Sequence, residues 1–174
     1  IVDSLPSLIS PFFPRAASLQ PPLQPLLDSA HGIGLTHEIP DGRYPALVEY
    51  QDAGYPGMLF QLLRLSAGAM TPEQVQFLPN GGVKLGTLYY PTDRAYRFYP
   101  YVRFGDRNLT GLRLYPLAKL LDGSYNSRYF EGKTILVGHV GEDSPLIDMA
   151  LSLDALLQQQ AVKIPDWAIW GQYG

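Results

Sequence analysis

The stretch Tyr129-Phe130-Glu131-Gly132-Lys133-Thr134-Ile135-Leu136-Val137-Gly138-His139-Val140 restricts the fold more than any other. Residues 134–137 are an unbroken β-prone run bracketed by Gly132 and Gly138. A short apolar run between turn residues reads as a strand buried on both faces, of the kind found in parallel or mixed sheets covered by helices. A loop over 141–145 follows, and 146–160 then has the pattern of a helix. Strand, glycine turn and helix together predict an α/β fold, a single domain with a mixed β-sheet and helices packed on it. They do not name a chemistry.

At 174 residues the chain suits one domain with a substantial core. Hydrophobic residues make up 46% and charged residues 17%, a balance that favours a folded chain over a disordered one. The net charge of -3 offers no basic field for nucleic acid, so the seven Phe and twelve Tyr have no groove in which to stack bases. No nucleic-acid partner is expected. Cysteine is absent, which excludes disulfides and thiolate metal sites. Its absence suits a periplasmic location and is equally compatible with a bacterial cytosol. No stretch approaches the roughly twenty apolar residues that cross a bilayer. The chain opens on Ile1 without signal-peptide features, and reads as an excised fragment whose true termini and membrane spans lie outside it.

In chain order, residues 1–30 are a Pro-rich lead-in, expected to dock through Leu5, Phe12, Phe13 and Leu23, with a short helix over 25–30. Residues 33–50 predict a β-hairpin: a strand over 33–36, a turn at Pro40-Asp41-Gly42, and a return strand over 44–50 with Ala46, Val48 and Tyr50 on one face. Met58, Leu59, Leu62, Leu63 and Leu65 recur at helical spacing until Gly68. Thr71-Pro72-Glu73-Gln74 resembles a short helical start, Asn80-Gly81-Gly82 a tight turn, and 83–90 contains a strand. Residues 91–101 form a polar, aromatic loop, and 115–123 a helix stopped by Gly123.

These pieces, in this order, carry a resemblance. Gly34 followed by Asp41-Gly42-Arg43-Tyr44-Pro45, then Tyr55-Pro56-Gly57-Met58-Leu59, Tyr115-Pro116-Leu117-Ala118-Lys119-Leu120-Leu121, Phe130-Glu131-Gly132-Lys133-Thr134-Ile135-Leu136-Val137-Gly138 and Leu153-Asp154-Ala155-Leu156-Leu157-Gln158 resemble the later part of a CHASE-two domain. That family is the second type of cyclase- and histidine-kinase-associated extracellular sensor. The resemblance runs from Ile33 to Trp170 and places the sensor core at 31–164, with 165–174 as a membrane-proximal end. It departs from the family in the short loop 141–148, which lacks the usual Pro-Gly, and in the missing early strands. It implies a domain outside the cytoplasmic membrane, between one upstream span and several downstream spans, in a receptor whose cytoplasmic end is a nucleotide or diguanylate cyclase, a histidine kinase or a Ser/Thr kinase. Trp167 and Trp170 suit a membrane interface at that position. The domain itself is then non-enzymatic, needs no cofactor, and takes an unknown small-molecule or protein ligand, with a homodimer as a further partner.

His139, Glu142, Asp143 and Asp148 follow the 134–137 run, where open α/β sheets place ligands. His31 and His37 are the only other histidines and nothing in the sequence brings them there, so no metal site is expected. Arg94, Arg97, Arg103 and Arg107 interleave with Tyr96, Phe98, Tyr99, Tyr101 and Phe104, which suits a carboxylate or sugar ligand, a dimer interface, or a strand with a wet face. Lys133 lacks the rest of a phosphate loop, and Ser144 lacks a nucleophile motif. No catalytic residue is expected. The ligand-binding candidates are His139, Glu142, Asp143, Arg94 and Arg97. The alternative function is a soluble α/β enzyme or ligand-binding protein with its pocket after the 134–137 strand.

Overall fold

The computed structural model describes residues 13–30, 32–36, 42–69, 71–79, 81–101, 112–139 and 145–161. The chain is α/β, with helices and several small antiparallel sheets. The helices are α1 (Gln24–Ser29), α2 (Met58–Ser66), α3 (Leu117–Leu121) and α4 (Pro145–Leu157). The strands are β1 (Tyr44–Pro45), β2 (Leu47–Tyr50), β3 (Ala53–Pro56), β4 (Val75–Phe77), β5 (Val83–Leu85), β6 (Leu88–Tyr90) and β7 (Arg97–Phe98).

The strand buried on both faces exists, but it is β2. Ala46, Leu47, Val48 and Glu49 are all buried, so both faces are covered rather than one. On one edge β2 pairs antiparallel with β3, Leu47 opposite Pro56 and Tyr50 opposite Ala53. On the other edge residues 14–16 run parallel to it: Ala16 N donates to Glu49 O at 2.9 Å and Glu49 N donates to Pro14 O at 2.8 Å. Parallel and antiparallel neighbours thus meet on one strand. The hairpin partner expected over 33–36 is replaced by β3, and Leu35 instead bridges Gly57 in parallel. The turn joining β2 to β3 is Gln51-Asp52, with φ of 49° and 62°. Two positive φ values mark the hairpin turn whose twist suits β-strands, although glutamine is a poor occupant.

Residues 134–137 do not form the expected strand. They belong to no strand or bridge among the described residues, and Ile135 and Val137 are 50% and 69% exposed. The run has β-prone side chains, but a strand needs a neighbouring edge as well as propensity, and here β2 has taken the covered position.

Helices α2 and α4 pack together, and α2 also packs on β1. Met149, Ser152, Leu153 and Leu156 fall at i, i+3, i+4 and i+7 on α4, a stripe that meets Leu59, Phe60 and Leu63 of α2. Gly68, at φ 68°, ends α2: its N–H reaches Leu65 O at 3.1 Å and Ala69 N reaches Arg64 O at 3.0 Å. This paired bonding satisfies carbonyls the helix leaves open. Helix α4 ends the same way without a glycine. Gln159 takes φ 58°, its N–H donating to Leu156 O and Gln160 N to Ala155 O. The chain leaving α4 is then tied back: Tyr101 N donates to Gln160 O at 2.9 Å, and Pro100 bridges Ala161.

An aromatic cluster fills the centre. Phe13, Phe77 and Tyr96 meet at 5.2–5.6 Å between ring centroids, and Phe60 lies 6.0 Å from both Phe77 and Phe98. Of the residues expected to dock the lead-in, Phe13 is buried and Leu23 is 75% exposed. Leu5 and Phe12 lie outside the described residues.

Candidate functional site

The 91–101 loop is built around one carboxylate. Tyr96 N donates to Asp93 O at 3.0 Å and Asp93 N donates to Arg97 O at 3.2 Å, closing a three-residue turn. Its last residue, Tyr96, has φ 53°. A bulky residue in that region is strained by about 1–3 kcal/mol and persists only where its surroundings over-determine it. They do so here. Tyr96 O accepts from Ala46 N at 2.9 Å, its hydroxyl donates to Leu78 O at 3.0 Å, and its ring packs between Phe13 and Phe77.

Asp93 is 5% exposed, and both of its carboxylate oxygens are engaged. Oδ1 accepts from Arg97 N at 2.9 Å, and Oδ2 accepts from Arg97 Nε at 2.7 Å and from the Tyr99 hydroxyl at 3.1 Å. Thr92 Oγ1 fixes the preceding residue, accepting from Gly82 N at 2.6 Å and donating to Asp93 O at 2.9 Å. A buried carboxylate whose two oxygens both accept hydrogen bonds positions its neighbours.

The β1–β7 pairing assembles the rest. Tyr44 lies opposite Phe98 and Pro45 opposite Arg97. Continuing that register sets Arg43 beside Tyr99, and the Arg43 guanidinium lies 5.5 Å from the Tyr99 ring centroid. Phe98 turns into the core, fully buried, so Arg43, Arg97 and Tyr99 share the opposite face.

Four phenols in and around this region are held above the ordinary value of 10.0. Burial is the main cause for Tyr44, Tyr90, Tyr96 and Tyr99, and the Asp93 charge adds to it at Tyr99. A raised phenol holds more protons folded than unfolded, so its stabilisation is complete below pH 10.0 and is lost as pH climbs through the higher folded value. We therefore expect the denaturant midpoint to stay flat to about pH 9 and to fall above about pH 10, together with a delayed rise in phenolate absorbance. A flat midpoint through about pH 11 would contradict this account.

The expected site residues that the structure describes lie on two stretches of the chain. Arg94 and Arg97 belong to the same turn, Arg94 exposed and Arg97 paired with Asp93. His139 is exposed on the separate 112–139 segment. Glu142 and Asp143 lie outside the described residues, as do Ser144, Arg103, Arg107, Trp167 and Trp170. Asp93 and Arg43 were not among the expected site residues, and Tyr99 was expected only as one of the aromatics interleaved with the arginines. The available signal was the spacing of Asp93 and Arg97, four apart and flanking a tight turn. Among the described residues, no group of three or more His, Asp or Glu side chains is placed to hold a metal, and no helix is long and apolar enough to cross a membrane. Comparison with protein-family models, curated proteins and solved structures finds no match.

Proposed function

We propose that the chain is an extracytoplasmic sensory domain of a membrane-bound bacterial signalling receptor. In this reading the domain is non-catalytic, and ligand or partner binding passes through flanking transmembrane helices to a cytoplasmic cyclase or kinase. The observation that carries it is the ordered resemblance to CHASE-two domains from Ile33 to Trp170. The fold supplies a route compatible with signalling. The Asp93 turn leads within two residues of Tyr99 to Tyr101, whose N–H holds Gln160 O at the end of α4. A shift of that turn therefore bears on the chain where it leaves the domain, and a two-state shift there is what a sensor requires.

The test is the topology of the full-length protein. The coding sequence is determined on both sides of the chain, and reporter fusions locate the domain. One upstream span, several closely spaced spans after Trp170 and a soluble output domain support the reading. Soluble sequence on both sides overturns it.

A further inference from the structure

We propose that the 112–139 segment docks on an anionic lipid surface, its leucines entering the acyl boundary and its Lys and Arg side chains meeting lipid phosphates. The proposal goes beyond the sensor reading and does not depend on it. Three observations converge. First, the segment stands apart from the core. Among the described residues, no buried core side chain, and none packed against that core, comes from 112–139. Yet seven of the thirteen exposed large apolar side chains described fall there. Single exposed apolar residues are ordinary, whereas a concentration of them marks an interaction surface. Leu117 and Leu121, 51% and 78% exposed, lie one turn apart on α3, and Leu114 precedes them by three residues. Second, the segment is tied together by its own rings. Tyr115, Tyr125 and Phe130 meet at 5.1–6.3 Å between centroids. This cluster joins the entry of α3 to the residues leading into 131–137, where Ile135 and Val137 are exposed. Third, the charge is one-sided. Arg113, Lys119, Arg128 and Lys133 are exposed, outnumber Asp122 and Glu131, and take part in none of the described ion pairs. The segment therefore carries +2, while the rest of the chain carries -5. Apolar side chains flanked by cations suit a membrane interface, where aliphatic groups leave water and each Lys or Arg is drawn to anionic headgroups. A second copy docked face to face would instead set these four cations against their equivalents, a like-charge juxtaposition.

The experiment is co-sedimentation of the 174-residue chain with vesicles of phosphatidylcholine alone and of equal parts phosphatidylcholine and phosphatidylglycerol, at low salt and at about 0.5 M salt. Two double variants accompany it, Leu117→Ser with Leu121→Ser, and Lys119→Gln with Lys133→Gln. All four positions are exposed, and circular dichroism confirms that the variants fold. We expect partitioning into the anionic vesicles at least about tenfold stronger than into phosphatidylcholine, weakened by salt, and reduced about tenfold or more in each double variant. Equal partitioning into both vesicles, or unchanged partitioning of the folded leucine variant, overturns the proposal. Sedimentation velocity without lipid addresses the second copy: a dimer that the leucine variant converts to monomer overturns the lipid assignment. Capture by polyglutamate without vesicle binding does the same in favour of an acidic protein partner. Each of these failures leaves the receptor topology standing, and soluble flanking sequence would leave the vesicle result unchanged.

Discussion

Asp93→Ala is expected to destabilise the domain by about 3 kcal/mol and to lower Tm by about 10 °C. The substitution strips partners from the Arg97 N–H, Arg97 Nε and the Tyr99 hydroxyl at once. Breaking a buried pair by removing one member usually costs about 3–5 kcal/mol, because the survivor is left buried and unpaired. The lower end applies, since Arg97 is 27% exposed and water can partly replace the carboxylate. The turn itself also loosens. Its strained Tyr96 was held partly by the bonds of Asp93, so local amide exchange over 93–97 should rise more than in β2. Asp93→Asn keeps an oxygen for Arg97 N and should recover about half of the loss. Denaturant unfolding of the three proteins checks the order. An Asp93→Ala protein within about 0.5 kcal/mol of the parent would show that the carboxylate is an ornament of the turn, not its support.

Gly57→Ala should be at least as damaging, for a different reason. A Cβ at Gly57 would sit 2.2 Å from Pro45 O, a backbone atom that cannot swing aside. Gly57 is the junction where β3 becomes α2, and its own N–H donates to Ala46 O at 2.9 Å. Relief of the clash must separate α2 from β1 and β2, the centre of the core. A loss of about 3 kcal/mol or more is expected, within the range for overpacking and lost packing. Gly68→Ala makes a useful comparison. Gly68 has φ 68° but nothing within 4 Å of its would-be Cβ, so only the left-handed backbone penalty of about 1–2 kcal/mol applies. Thermal unfolding separates the two. A Gly57→Ala protein as stable as Gly68→Ala would mean that the helix entry is more pliant than its packing suggests.

Local chemistry was legible wherever it acts over a few residues. The amphipathic run ending at Gly68 became α2, the 25–30 helix appeared as α1, the glycine stop after α3 sits at Gly123, and the 146–160 helix appeared as α4. Each depends on side-chain spacing or on one residue able to take positive φ. The cap of α4 was not legible, because Gln159 adopts that conformation with no sequence cue. The site was legible in part: the Arg and aromatic alternation pointed to the 91–101 loop, and Arg97 lies in the face the structure assembles. Arg43 could not be joined to it, because the pairing of β1 with β7 spans more than fifty residues of chain.

By itself the sequence determined an α/β domain, its main helices, and a cysteine-free chain of net charge -3. Those properties follow from composition and from periods of two to seven residues. Only the tertiary structure decided which strand occupies the centre. Residues 46–48 and 135–137 are both short apolar runs, and propensity does not separate them. Residues 47–49 gained β3 on one edge and residues 14–16 on the other, while 134–137 found no ladder among the described residues. Burial of a strand is a property of its neighbours, and neighbours distant in the chain are written in no single stretch of it.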